Sequence, residues 1–157
     1  MAKIHLTTFI AAPVERVFDL SRSIRLHMIS TAASNEKAIA GVLDGLISEN
    51  ETVTWQAKHL FKEREFTSRI TMMKRHSQFT DEMIQGDFKY FSHEHFFKTI
   101  DNGSFMIDYV NYESPYGVIG KLMNKLYLNN YLTRLLIKRN EVIKEYAETE
   151  KWKTILF

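Results

Sequence analysis

His93-Glu94-His95 sets two imidazoles two residues apart. In an extended chain that spacing sends both to one face, about 6–7 Å apart at Cα. Such a pair is the start of a metal site, for which His59, Asp81 or Asp108 would supply further ligands. The same residues admit another chemistry. His95 near Asp108 is an oriented general base, with the carboxylate fixing the tautomer, and Tyr112 beside His93 is placed to donate a proton or polarise a carbonyl. His95, Asp108 and Tyr112 are therefore the candidate catalytic residues. A third reading is a hydrogen-bonded polar network lining a cavity. Two-residue histidine spacing is common, so no metal or cofactor is expected. The chain has no nucleophile elbow, zinc-protease, P-loop or dinucleotide fingerprint. Acid–base chemistry without a cofactor would be gentle: a cyclisation, dehydration or isomerisation.

Whether these side chains meet depends on the elements that carry them. Residues 3–11 alternate loosely and read as a strand. Pro13 starts a helix with Val14, Val17, Phe18 and Leu20 on its apolar stripe, and Ser21 or Ser23 caps a second one through Ile24, Leu26, Met28 and Ile29. Residues 32–45 read as a glycine-bearing loop with a short strand near 37–40, and the loop from 32 to 49 is placed to gate a cavity mouth. From 51 to 113 the apolar period is two, with strands at 51–59, 64–73, 78–84, 88–99 and 105–113 in an antiparallel meander. After Ser114-Pro115-Tyr116-Gly117 the apolar residues at 119, 122, 123, 126, 128, 131, 132, 135, 136, 142, 143 and 146 predict one amphipathic helix to about 148. Its length would be roughly 45 Å. The apolar tail 151–157 has no evident place.

Register decides which side chains share a face. An Asn102-Gly103 turn pairs Phe97 with Asp108, His95 with Val110 and His93 with Tyr112. Four-residue turns at 74–77 and 60–63 pair Met72 with Phe79, Ile70 with Asp81, His59 with Arg64 and Trp55 with Ser68. One face then collects Val53, Trp55, Ala57, Phe66, Ile70, Met72, Phe79, Met83, Phe91, Phe97, Met106 and Val110. Among them stand His59, Arg64, Asp81, His93, His95, Asp108 and Tyr112. Buried ionisable groups cost several kcal/mol unless paired. So many on one face imply internal ion pairs, Arg64 with Asp81 among them, or a wet pocket. The opposite face is polar except for Phe96, Phe105, Ile107 and Tyr109, a candidate interaction patch.

Composition narrows the classes. The 157 residues suit one domain, 1–157, with 45% apolar and 25% charged residues. With 21 Lys+Arg against 19 Asp+Glu, the net charge of +2 offers no nucleic-acid surface. There is no cysteine, hence no disulfide, thiolate site or thiol nucleophile. No apolar run approaches the roughly 18 residues of a membrane span, and no signal peptide is read at the start. A cytoplasmic location is expected, as a monomer or weak homodimer with no nucleic-acid or integral-membrane partner.

Several stretches are similar to a known family: the opening Ala-Ala-Pro-Val-Glu-Arg-Val-Phe-Asp-Leu, Gly-Val-Leu-Asp-Gly-Leu-Ile, Glu-Thr-Val-Thr-Trp, His93 to Phe97, Asp108 to Tyr112, Pro115-Tyr116-Gly117 and the final helix. Over nearly its whole length the chain resembles the SRPBCC superfamily, which includes START lipid-transfer domains, pollen-allergen-like binders and polyketide cyclases. Within it, the segments look most like a bacterial ligand-binding or cyclase/dehydrase-like branch. The resemblance implies an α+β helix-grip fold, a curved antiparallel sheet of six to seven strands around a long C-terminal helix, with two short helices after the first strand. It also implies an internal cavity for a hydrophobic small molecule: a lipid, isoprenoid, polyketide or aromatic metabolite. No catalytic residue carries over from it.

The expected cavity wall is Trp55, Phe66, Phe79, Met83, Phe97 and Met106, with His59, Asp81, His93, His95, Asp108 and Tyr112 at its polar end. Two other functions stay open: a cofactor-independent cyclase or dehydratase using His95 and Asp108, and a partner-binding module using the aromatic patch and the tail.

Overall fold

The protein is seen in a computed structural model that describes residues 1–59, 61–115, 117–123 and 127–157. Strand β1 (Ala2–Ile10) leads into helices α1 (Val14–Ser21) and α2 (Ile24–Ser30), then strands β2 (Lys37–Gly41), β3 (Thr52–His59), β4 (Lys62–Lys74), β5 (Gln78–Gln85), β6 (Tyr90–Ile100) and β7 (Gly103–Glu113). Helices α3 (Gly117–Met123), α4 (Asn129–Glu148) and α5 (Lys153–Leu156) close the chain. The strands form one antiparallel sheet in the order β1-β7-β6-β5-β4-β3-β2. Among the described residues no helix is long and apolar enough to cross a membrane.

Period-two patterning builds this sheet. On β7, Ser104, Met106, Asp108, Val110 and Tyr112 are buried while the residues between them are not. Ser23 caps α2, its Oγ accepting from Leu26 N–H at 3.1 Å. The capping choice between Ser21 and Ser23 is thereby resolved.

The hairpins differ from the expected register in an instructive way. The β6–β7 connection is Asp101-Asn102, so Ile100 pairs with Gly103 and His95 pairs directly with Asp108. Asn102 takes the left-handed backbone (φ 65°). Gly103 lies inside the strand, where an added Cβ would meet the Ile10 carbonyl oxygen at 2.3 Å. The β3–β4 hairpin is likewise tighter, with His59 opposite Lys62 and Trp55 opposite Phe66. Both registers move by two residues, and a two-residue shift keeps every side chain on its face.

In the β4–β5 hairpin Ile70 pairs with Asp81 as expected, but a bulge follows and Met73, not Met72, pairs with Phe79. A bulge inserts one residue and reverses the facing of what lies beyond it. Met73 thus packs on the core.

The expected long terminal helix is present as α4. With 20 residues it spans about 30 Å, and α3 precedes it in the chain. Residues 124–126 between them lie outside the described residues, as do Leu60 of the expected 60–63 turn and Tyr116 of the Pro-Tyr-Gly segment. The tail does find a place: Trp152, Ile155 and Leu156 pack against the core, and the Arg16 guanidinium lies 4.2 Å from the Trp152 ring centre.

The core has two parts. One joins α1, α2 and the second half of α4 (Val142, Ile143, Ala147) to the sheet through Phe18, Phe79, Phe97 and Met106. The other sets Ile4, Val110 and Tyr112 against Leu128, Leu132 and Leu136 of the first half of the helix. Residues of both parts turn to a shared cavity.

Candidate functional site

A cavity of about 400 Å³ lies between the sheet and α4. Its apolar wall is Val53, Trp55, Phe66, Ile70, Phe79, Phe91 and Val110 from the strands, facing Leu128, Leu132, Leu135 and Leu136 of the terminal helix. Two clusters of interacting polar side chains stand on its lining.

The first is built on β5, β6 and β7 and sealed by α4. Asp81 pairs across strands with His93, and His95 with Asp108, yet the hydrogen bonds run diagonally. His93 Nε2 lies 2.8 Å from Asp108 Oδ1, and His95 Nε2 2.7 Å from Asp81 Oδ2. The two imidazoles consequently stack, ring centres 3.6 Å apart, with Phe79 on the other face of His95 at 4.1 Å. From α4, Arg139 Nη1 reaches Asp108 Oδ1 at 3.4 Å, and Asn140 Nδ2 donates to Asp108 Oδ2 at 2.8 Å. Arg139 Nη2 lies 3.4 Å from His95 Nδ1 and donates to the Ser21 carbonyl at 3.3 Å.

The carboxylates set the protons here. Burial disfavours the Asp108 anion, but hydrogen bonds from His93 and His95 and the Arg139 charge hold its carboxyl well below the usual range. Asp81 is lowered too, with the His95 hydrogen bond overcoming burial. His93 is brought down to about 4, first by burial and then by repulsion from His95, against the pull of Asp108. It is neutral at pH 7, and with an ionised acceptor its Nε2 carries the proton toward Asp108. Asp108 itself has no exposed surface, whereas the Asp81 side chain keeps 21% facing the cavity.

The second cluster sits nearer the surface. Glu36 Oε1 lies 2.7 Å from His27 Nε2, and its Oε2 lies 3.6 Å from His59 Nε2. His59 Nδ1 in turn lies 2.6 Å from the Tyr131 hydroxyl. Burial works against the Glu36 anion, but these two histidines hold it at about 2. The Tyr131 hydroxyl is raised by burial, by neighbouring Tyr127 and by the Glu36 charge. His27 also lies against the Trp55 ring, centres 4.2 Å apart.

Of the expected site residues, Trp55, His59, Phe66, Phe79, Asp81, His93 and His95 line the cavity. Five do not. Phe97 packs with Phe18 and Phe79, and Met106 is fully enclosed in the same core. Asp108 stands behind the histidines, while Tyr112 is buried and its hydroxyl donates to Asn129 Oδ1 at 3.1 Å. Burial raises the Tyr112 phenol further above its ordinary value. Met83 lies toward Gly86 beside Phe66 rather than on the wall. The expected Arg64–Asp81 bridge is absent: Arg64 pairs with Asp87, and Asp81 with His95.

Glu36, His27, Tyr131 and Arg139 line the cavity without having been singled out from sequence. For two of them there was a signal. Arg139 and Tyr131 fall in phase with Leu128, Leu132, Leu135 and Leu136 on the helix stripe, where a charge is out of keeping. Glu36 and His27 carried none, because their meeting depends on how α2 folds over the strand that follows.

No family model matches the chain, and no curated protein matches its sequence. Solved structures do. The Zhui aromatase/cyclase from Streptomyces sp. R1128 aligns with TM-score 0.73 at 11% identity, over 94% of this chain and 93% of its own. A START superfamily protein from Mycobacterium smegmatis aligns at 0.70 and 16%, over 91% and 97%. The major latex-like protein 151 of Panax ginseng aligns at 0.69 and 13%, over 94% and 98%. At such identities the likeness is one of fold. A seven-stranded curved sheet, two short helices after the first strand and a long helix closing a cavity are features this chain has in its own right. It carries the helix-grip fold of the START superfamily.

Proposed function

We propose that the protein binds an apolar small molecule with a polar handle, such as a lipid, isoprenoid, polyketide or aromatic metabolite. The observation that supports this most is the cavity: about 400 Å³ of space, walled largely by aromatic and aliphatic side chains, with two clusters of paired polar groups on its lining. Ligand sites have this build, with apolar walls giving affinity and a few placed polar groups giving orientation. A core selected only for stability would fill such a volume. Asp81, His93 and His95 at the inner cluster and Glu36, His59 and Tyr131 at the outer one would hold the polar atoms.

Native mass spectrometry of the purified protein, followed by solvent extraction, tests this. A stoichiometric apolar metabolite is the expected result. A protein that releases nothing and takes up no apolar dye such as anilinonaphthalene sulfonate would overturn it.

A second reading is supported by the Asp81–His95 contact on the cavity wall. A carboxylate that orients an imidazole facing a substrate is the arrangement of a general base. One of the structural neighbours is an aromatase/cyclase. On this reading His95→Gln abolishes turnover of the extracted compound and leaves its binding intact, and equal turnover by the variant would rule it out.

A further inference from the structure

Asp81, His93 and His95 each offer one ligating atom, and the three atoms lie within 4.8 Å of one another. Among the described residues this is the one cluster of three such donors. We propose that it is a binding site for a single divalent transition-metal ion, whose remaining coordination positions face the cavity. The second half of the proposal rests on the ligand-binding reading; uptake of the ion does not.

Three features beyond proximity support it. The first is the position of the outer carboxylate. Asp108 faces nitrogens of both imidazoles, His93 Nε2 at 2.8 Å and His95 Nδ1 at 3.4 Å. A carboxylate behind a metal-binding histidine fixes its tautomer and raises its basicity. With Asp108 accepting from His93 Nε2–H, His93 Nδ1 is the nitrogen left with a lone pair, while His95 Nε2, hydrogen-bonded to Asp81, would give up its proton to the ion. The second is that His93 Nδ1 has no hydrogen-bond partner among the described residues. The third is the close pair His95 Nε2 and Asp81 Oδ2, 2.7 Å apart. Hydrogen-bonded to each other, the two atoms already share one proton, which an ion bound between them would displace.

Charge also permits the site. Arg139 is neutralised by Asp108, which leaves the Asp81 carboxylate as surplus negative charge beside the imidazoles. Two nitrogens and one oxygen suit Zn²⁺, Fe²⁺, Co²⁺ or Ni²⁺ over Mg²⁺ and Ca²⁺, which prefer oxygen alone. Three protein ligands leave positions open, and Asp81, His93 and His95 all line the cavity. A carboxylate, enolate or hydroxyl on an otherwise apolar ligand would complete the shell.

The test is equilibrium dialysis of the whole chain against Zn²⁺ and Co²⁺, with no organic ligand present. One ion per chain is expected. Asp81→Asn and His95→Gln should each weaken uptake tenfold or more, and Asp108→Asn roughly 10–100-fold through the histidines. His27→Gln, at the outer cluster, should leave it unchanged. Side-chain ¹⁵N spectra of the unaltered protein supply a readout independent of variant folding, because Zn²⁺ should shift His93 and His95 and not His27 or His59. Absence of stoichiometric uptake, or ¹⁵N shifts confined to the outer pair, would overturn the site. Dye uptake measured without metal separates the two proposals: dye bound and no ion taken up would remove the metal site and leave the cavity reading standing.

Discussion

Asn140 of the terminal helix donates to Asp108 of β7 at 2.8 Å, and Arg139 beside it reaches the other carboxylate oxygen at 3.4 Å. These contacts fasten α4 across the sheet at the inner end of the cavity, where Asp108 has no exposed surface. Removing one partner of a buried ion pair leaves the other unpaired. Asp108→Ala should therefore lower the stability in urea by about 3–5 kcal/mol. The double change Asp108→Leu with Arg139→Met should recover much of it. A loss of under about 1 kcal/mol for the single variant would show that the network does not hold the helix.

Acid should weaken the protein in two stages. His93 takes up its proton only near pH 4 in the folded chain, against 6.5 for a free imidazole. Between those values the unfolded chain binds more protons, so stability falls as pH drops through that window, by on the order of 3 kcal/mol. Glu36 titrates near 2 instead of 4.5, so the stability it contributes is complete above 4.5 and lost as pH falls toward 2. Midpoints of chemical denaturation across pH 3–8 would show the decline, and His93→Gln should flatten its upper part.

Filling the cavity should cost ligand and little stability. Leu132 faces the open space from α4, so Leu132→Trp has room, and dye affinity should fall at least tenfold while the melting temperature changes by only a few degrees. Phe97 packs against Phe18 and Phe79, so Phe97→Trp should cost about 1–3 kcal/mol. Equal effects of the two changes on stability would argue that the cavity is closed in solution.

Ending the chain after Thr149 should destabilise the fold without changing its assembly. The removed segment carries Trp152, Ile155 and Leu156, which pack on the core, and the ring beneath Arg16. A loss of about 2–4 kcal/mol follows from exposing that surface. Thermal melts and gel filtration together check it: a lower melting point at an unchanged elution volume is expected, and a shift to smaller size would mean that the tail held a dimer.

Local patterning in the chain encodes its strands and helices and the face that most strand side chains take. Strand periodicity is two, so placing Asp108 opposite Phe97 rather than His95 left both on the inner face. That parity alone sets His93, His95, Asp81 and Asp108 on one face. It failed where the period itself broke, at the bulge that exchanges Met72 for Met73. Depth was decided by tertiary structure alone. Phe97, Met106, Asp108 and Tyr112 share a face with His93 and His95, yet they are covered by α1 and α4 while the histidines meet the open space. Which inner-face residues are wall and which are core depends on where helices distant in sequence come to rest. No local period encodes that. The Glu36–His27–His59–Tyr131 cluster gathers residues from α2, the segment after it, β3 and α4, and only the folded chain brings them within hydrogen-bonding reach.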